Sequence, residues 1–437
     1  MAQAPAAMGR STPGKAAEKS STKKAKATAG GGQPTKAKKT VGQKRATRSS
    51  KTPAKALKEL VDFNEATMAA LCWKVHKEGT PECAAASRVA KKPSVRALLD
   101  SQSFKEHRRC EPNPGMDSGT MHLLEEAVEY NDIERVKLAF AKIVILPADG
   151  SLLAVSSAYK DITKRDLWKE KAVNVEAFKK ALQPLTLDQA YPVYRSVLFQ
   201  AEGKRQVTAG KRLIDPGKGG KQKTLFVNWW KDLLDNGSFG KVMRGIKAGN
   251  PIRPLLEETL HVNTAFHRFL LARELELLIK DFPADGIEQV MCVGGGAKEV
   301  IKSCSNRQEI EKQDDEQDDD DKFLEIMRGV HESLVEKLDP QLVKAACPKG
   351  WRLDYTEHAG CEMRRFQEAT ERVGAGKNPR RNRDSNSRKK PLPTREERQK
   401  TRCRRISKVS KLLGFKKMPS LASAWKKSNK CRKQIRK

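Results

Sequence analysis

The stretch 53-PAKALKELVDFNEATMAALCWKV-75 decides the fold class of this chain. Its apolar residues recur at three- and four-residue spacings, which is the period of a helix that buries one face. The preceding fifty residues show no such pattern, so we predict that the folded core begins near residue 53. The stripe consists of Leu57, Leu60, Val61, Met68, Leu71, Cys72 and Val75.

Helical periodicity continues through the middle of the chain, whereas strand-like alternation is confined to 143–145 and 289–293. The pattern predicts a mainly α fold, with an irregular multi-helix core flanked by long disordered basic tails. The further helical runs lie at 84–99, 121–130, 133–146, 175–182, 187–200, 224–234, 239–248, 255–280 and 323–337.

The excess positive charge of the chain lies at its two ends. The whole chain has a formal charge of +33. Residues 1–58 hold 15 Lys and Arg against one acid, and residues 372–437 hold 25 against three, which leaves 59–371 at −3. Flexible polycations bind phosphates by releasing counterions and carry little sequence information. We therefore expect both arms to bind nucleic acid.

The N-terminal arm, 1–52, consists largely of Lys, Ala, Ser, Thr, Gly and Pro, without an aromatic residue. This composition buries too little apolar surface to offset chain entropy, which predicts a disordered tail. Its texture resembles that of a linker-histone tail, without extending to a folded histone domain. An organelle transit peptide is the competing interpretation. The predicted phosphate-binding residues are Lys23, Lys24, Lys38 and Lys39.

A second basic segment, 203–223, interrupts the predicted core and is rich in Gly and Lys, which is typical of an exposed loop. Aromatic residues follow it, and single-stranded nucleic acid stacks its bases on rings that lie beside cations. Trp229 is the predicted exposed ring, whereas Phe226, Trp230 and Leu233 share one helical face and are predicted to be core. The predicted nucleic-acid contacts here are Lys204, Arg205, Lys211, Arg212, Lys221, Lys223 and Trp229.

An acidic block dominates 306–322, where seven of the eight residues from Asp314 to Asp321 are Asp or Glu. Like charges repel, so we predict a disordered linker between a helical core at 53–305 and a small helical segment at 323–371. We also expect the block to act as an internal phosphate mimic that competes for the basic arms.

The C-terminal arm, 372–437, carries two basic clusters separated by a short spacer, a pattern typical of a bipartite nuclear-import signal. A basic amphipathic helix is predicted beyond them, and we expect it to lie on phosphates. An anionic membrane and a calmodulin-like groove are the alternatives. The predicted import residues are Arg380, Arg381, Arg383, Arg388, Lys389 and Lys390; the phosphate-binding residues are Arg402, Arg404, Arg405, Lys408 and Lys411; and the apolar stripe is Ile406, Val409, Leu412 and Leu413.

No motif of the core specifies a reaction. The triple glycine at 294–296 lacks both the dinucleotide-binding spacing and the P-loop ending, so it predicts a structural turn. Cys72 and His76 stand at helical spacing, as do His107 and Cys110, but the usual Cys-x-x-Cys knuckle of a zinc site is missing. We expect no cofactor, no metal, reduced intracellular thiols and no membrane-spanning segment.

These features predict a nuclear protein that binds chromatin or RNA. The arms would supply affinity for nucleic acid, and the helical core would bind a protein partner. An import receptor is a further expected partner, and we expect no binding to a membrane. An enzyme acting on nucleic acid, with a site scattered across the core, is the alternative from another class. A third interpretation is an organelle protein with an N-terminal transit peptide.

Overall fold

The computed structural model describes residues 52–76, 78–106, 112–116, 118–145, 151–182, 220–262, 264–305 and 319–376. These residues are mainly helical and form no strand, so the prediction of a mainly α fold is confirmed. The first helices are α1 (Pro53–Val75), α2 (Pro81–Val89), α3 (Pro93–Asp100), α4 (Gln102–Glu106), α5 (Ser118–Ala127), α6 (Asp132–Phe140), α7 (Ser151–Thr163) and α8 (Val175–Leu182). The later helices are α9 (Gly220–Asp235), α10 (Ser238–Lys247), α11 (Ala265–Leu278), α12 (Gly295–Cys304), α13 (Asp319–Lys337), α14 (Pro340–Ala346) and α15 (Leu353–Gly374).

Proline and capping residues set several helix starts. Proline is tolerated in the first turn because its missing N–H has no partner there, and it begins both α2 and α3. The single helix predicted at 84–99 is therefore wrong, since Pro93 starts a second helix. In α6, Asn131 and Glu134 form a reciprocal capping box with each other's backbone N–H groups.

The two segments with strand-like alternation, 143–145 and 289–293, do not form strands. Residues 143–145 lie in a π-helical turn, Ala141–Ile145, that continues α6. Gln289 and Val290 lie in a short 3-10 turn, Glu288–Val290, and 291–293 are irregular backbone. Ile143, Val144, Val290, Cys292 and Val293 are buried, and a short buried apolar run cannot be assigned to strand or helix by periodicity alone.

Helix α1 lies at the centre of the core and contacts α2, α3, α12, α13, α14 and α15. It is buried almost all round, so the predicted apolar stripe understates its burial. The burial extends to the carboxylate of Glu65, which accepts hydrogen bonds from Lys92 Nζ at 2.8 Å to both oxygens. A buried carboxylate needs such a partner, because an unpaired one would cost several kcal/mol.

Helices α12 and α15 lie side by side and run in the same direction. Gly294 contacts Glu357 at one end of the pair, and Glu299 pairs with Arg364 one turn further along, at 2.9 Å. Phe366 of α15 packs on Phe63 of α1 with ring centroids 5.4 Å apart. Helices from 53–305 and from 323–371 thus share one apolar core, while the predicted domain boundaries stay a prediction.

Candidate nucleic-acid interface

Helices α9 and α10 are joined by a two-residue turn, Asn236 and Gly237. Gly237 has φ +61°, in the left-handed region that favours glycine. Its N–H donates to the carbonyl of Leu234 at 3.0 Å, and its carbonyl accepts from the N–H of Lys241 at 3.0 Å. The turn therefore ends α9 and starts α10 within a few residues, so the two helices follow each other with a tight connection.

A cluster of buried aromatic rings holds the two helices on the core. Trp230 of α9 contacts Phe239 of α10 at a centroid distance of 5.1 Å. It also contacts Trp168 and Phe178, at 5.8 and 6.1 Å. Aromatic pairs at such distances contribute roughly 0.5–1.5 kcal/mol beyond their burial, so the cluster fixes the position of α10. The side of α10 that faces the core consists of Phe239, Val242, Met243 and Ile246.

The outer side of α10 is basic. Lys241, Arg244 and Lys247 are all exposed and follow each other at three-residue spacing, which places them on one side of the helix. The Lys247 ammonium lies 3.8 Å from a carboxylate oxygen of Asp132. The sequence contains no Asp or Glu from Asn236 to Leu256. This side of α10 is called the α10 basic face below.

The start of α10 adds to the positive potential of this face. Its first turn contains no acidic residue, so the partial positive charge of the helix N-terminus has no carboxylate beside it. The guanidinium of Arg244 reaches back towards that end. Its Nη1 lies 3.5 Å from the point where a Cβ on Gly240 would sit. Anions, including phosphates, are favoured where a helix N-terminus and side-chain cations coincide.

The prediction that Trp229 is an exposed ring for base stacking is wrong. Trp229 is 6% exposed, and its ring packs edge-on against Phe140 with centroids 5.2 Å apart. The reason is that α9 has neighbours on two sides and buries an arc of about 160°, so adjacent positions both face the core. The predicted burial of Trp230 and Leu233 is confirmed.

Only a few of the basic residues predicted to bind nucleic acid lie within the described residues. The backbone of Lys221 and Lys223 lies in the first turn of α9, so the expected loop at 203–223 ends earlier, at Gly220. The other predicted contacts and the predicted import residues lie outside the described residues: Lys23, Lys24, Lys38, Lys39, Lys204, Arg205, Lys211, Arg212, Arg380, Arg381, Arg383, Arg388, Lys389, Lys390, Arg402, Arg404, Arg405, Lys408 and Lys411.

The sequence contained a signal for the α10 basic face that we did not use. In the run 238-SFGKVMRGIK-247 the cations and the apolar residues separate cleanly onto opposite sides of a helix. The periodicity predicts a helix at 239–248, and its cations were not singled out as a candidate site. The missing information was which side of that helix packs inwards.

Two further kinds of site were considered for the described residues. Within those ranges, no group of three or more His, Cys, Asp and Glu is arranged to hold a metal ion. Cys72 is fully buried, and the thiol of Cys83 points at the carbonyl oxygens of Cys72 and His76, at 4.0 and 3.7 Å. Of the helices that the structure describes, none combines the length and the apolar composition needed to cross a membrane.

Comparisons of the chain with protein-family models, with curated proteins and with solved structures found no match. Any function has to be argued from the charge, burial and packing of the chain's own residues.

Proposed function

We propose that this protein is a nuclear nucleic-acid-associated binding protein. Its basic arms bind phosphates without sequence preference, and its helical core is the scaffold for a protein partner. The observation that carries the proposal is the charge distribution: the arms at 1–58 and 372–437 hold net charges of +14 and +22, against −3 between them. Polyanions are the partners that such arms attract most strongly.

The energetics favour nucleic acid among polyanions. Each phosphate of duplex DNA that a protein neutralises releases condensed counterion, and the logarithm of affinity falls with the logarithm of salt by about 0.9 per phosphate. Arms with this many cations can contact many phosphates at once. Binding would then be tight at low salt and would weaken steeply as salt rises, with little dependence on base sequence.

The α10 basic face supports a role for the core in the same binding. Unlike the arms, it holds its cations in fixed positions, because aromatic packing fixes α10. Lys241 and Arg244 therefore form a rigid contact point that orients the core on a phosphate backbone. Phosphate contacts of this kind set register and orientation rather than sequence preference.

Nuclear import is the second part of the proposal and is tested by localisation. A variant in which Arg380, Arg381, Arg383, Arg388, Lys389 and Lys390 are replaced by Ser should lose nuclear accumulation. The matched control replaces six cations further along the same arm: Lys426, Lys427, Lys430, Arg432, Lys433 and Arg436. It should stay nuclear. Equal loss in both variants would show that bulk charge, and not an import signal, determines localisation.

The bound polymer is identified by crosslinking the protein in cells and sequencing the attached nucleic acid. The proposal expects abundant fragments with weak sequence bias, because the arms contact phosphates rather than base edges. The control is a variant that lacks 1–51 and 377–437. If the full chain yields no more crosslinked nucleic acid than this variant, the proposal is contradicted.

A further inference from the structure

A groove of about 570 Å³ opens at one end of the helix bundle, between the start of α1, the end of α12 and one side of α13. Its walls include Ala54 and Leu57 from α1, Cys304 from α12, and Ile326 and Val330 from α13. These residues present methyl, methylene and thiol groups. The walls also include polar and charged residues: Ser305, Glu325 and Ser333. A groove with an apolar strip between helices is a place where an amphipathic helix can bind.

Gly329 lines the groove in the middle of the nineteen-residue helix α13. Glycine weakens a helix interior relative to alanine, so its presence there needs a reason. Packing among the described residues supplies none, because an added Cβ at Gly329 would meet no atom within 4 Å. The missing side chain leaves a notch in the groove where another backbone or side chain can approach closely.

We propose that this groove binds the apolar stripe of the chain's own C-terminal segment: Ile406, Val409, Leu412 and Leu413. The stripe recurs at three- and four-residue spacing, so in a helix it forms one apolar side that matches the groove. Without a partner, that side would expose four large aliphatic residues to water. The proposal is independent of nucleic-acid binding.

The course of the chain supports this occupant. Helix α15 is level with the middle of α12 where Arg364 pairs with Glu299, and both helices then continue in the same direction. Helix α12 ends at Cys304, in the groove, and α15 ends at Gly374. The chain therefore leaves the described residues at the same end of the bundle as the groove.

The connecting segment is long enough. Residues 377–405 separate that exit from Ile406. A flexible chain of this length has a root-mean-square span of about 30 Å. This compares with about 34 Å for the whole length of α1, at 1.5 Å per residue. Tethering at such a span gives an effective concentration on the order of millimolar, so weak docking suffices.

Charge and composition favour this segment over the N-terminal arm. Of the described residues that line the groove, Glu325 is the one that carries a charge, which suits the cation Lys408 beside the stripe. Residues 1–51 of the N-terminal arm also connect to the core, since α1 starts at Pro53. They contain no Leu, Ile or aromatic residue with which to fill the groove.

Photo-crosslinking in the full-length protein tests the proposal. A benzophenone amino acid replaces Val409, and crosslinked peptides are mapped by mass spectrometry. The expected result is crosslinks within one chain to Leu57, Ile326 or Val330. The control probe replaces Lys411, which lies on the opposite side of the predicted helix and should give several-fold fewer of these crosslinks.

Two outcomes overturn the proposal. Crosslinks from position 409 that map elsewhere, or at equal yield from position 411, exclude docking in the groove. A mixture of isotopically heavy and light protein distinguishes the remaining case. Crosslinks that join heavy to light chains in statistical proportion show that a second copy occupies the groove, and the intramolecular proposal is then wrong.

A groove-filling variant gives an independent result. Gly329→Leu fills the notch and should lower the 409 crosslink yield several-fold. Val335→Leu adds bulk on an exposed side of α13 away from the groove and should leave the yield unchanged. Thermal unfolding of both variants verifies that the core is intact. Unchanged yield in a folded Gly329→Leu protein contradicts the proposed position of the segment.

Discussion

Gly294 donates its backbone N–H to Oε1 of the buried Glu357 at 3.1 Å, and this contact joins the glycine turn before α12 to the first turns of α15. The thiol of Cys361 lies 3.3 Å from the same oxygen and donates to it. Burial raises the pKa of the Glu357 carboxyl above its ordinary value. Gly294 is the N-cap of α12, whereas Gly295 and Gly296 lie in the helix itself, so the structural turn predicted for the triple glycine ends at Gly294. The close approach to Glu357 is what requires glycine at that position.

Alanine substitutions at the start of α12 should affect stability differently at Gly294 and at Gly295. At Gly294, an added Cβ would lie 2.8 Å from Glu357 Oε1 and 2.8 Å from Phe266 Cε2. Gly294→Ala should therefore lower the free energy of unfolding by about 1–3 kcal/mol, as overpacked cores do. Gly295→Ala is the control, because its added Cβ meets nothing within 4 Å, and its effect should stay within about 0.5 kcal/mol. Urea denaturation measures both, and equal effects would contradict the packing argument.

The stability of the core should fall as the pH is lowered through the range in which histidine titrates. Burial of His267, whose Nδ1 is hydrogen-bonded to the Thr264 hydroxyl, lowers its pKa to about 4. The unfolded chain takes up a proton near pH 6.5 and the folded chain only near pH 4. This group therefore costs up to about 3 kcal/mol of stability between pH 7 and pH 4, because stability falls where the unfolded state binds more protons.

Chemical denaturation at several pH values checks this. His267→Gln should make the loss of stability between pH 7 and pH 4 smaller than in the parent protein. His261→Asn is the matched control, because this side chain is exposed and asparagine tolerates the positive φ at that position. If His267→Gln kept the full slope, other groups would have to account for the pH dependence.

Charge reversal on the α10 basic face should weaken nucleic-acid binding without unfolding the protein. Lys241→Glu with Arg244→Glu would remove the two phosphate contacts that we propose for this face, so the salt slope should become shallower by about two. The control, Lys91→Glu with Lys344→Glu, makes the same change in net charge at exposed positions away from α10. It should alter the slope much less. Equal weakening by both pairs would show that the α10 basic face makes no specific contact.

Neutralising the acidic block should tighten non-specific binding. Asp314→Asn, Asp315→Asn, Glu316→Gln and Asp318→Asn together remove the competitor for the basic arms. Helix α13 begins at Asp319, and acidic residues stabilise a helix N-terminus, so Asp319–Asp321 are kept. The control neutralises four dispersed exposed carboxylates: Glu129, Asp161, Glu258 and Glu336. Affinity for a DNA duplex at low salt should rise several-fold more in the first variant than in the control. An equal rise in both variants would show that net charge alone, and not the acidic block, controls the affinity.

The mainly α fold class was predictable, because the three- and four-residue spacing of apolar residues is visible without knowing which elements pack against each helix. The stripe from Leu57 to Val75 and the run at 175–182 both gave helices, the latter with the observed bounds. Helix α15 lies mostly within the segment predicted as helical, 323–371, but its bounds were not predicted, since its buried side includes Asp354, Glu357 and Glu362. Periodicity scores those residues as polar, although ion pairs and hydrogen bonds stabilise them inside the core.

The candidate site was harder to predict, because the exposure of a residue depends on which elements pack against its helix. Whether Trp229 or Trp230 faces outwards depends on how many elements pack on α9, and that is a property of the tertiary structure. The charge of the arms needed no such knowledge, because it is a property of composition alone.

The salt dependence of nucleic-acid affinity tests the central proposal most directly. The dissociation constant for a DNA duplex and for single-stranded RNA is measured from low to physiological salt, with the full chain and with a variant lacking 1–51 and 377–437. The second deletion begins after α15 so that the core helices stay whole. We predict a steep log–log slope for the full chain that is largely lost in the variant, with only the contribution of the α10 basic face remaining. A flat slope in the full chain, or an unchanged slope in the variant, would contradict the proposal that the basic arms bind nucleic acid.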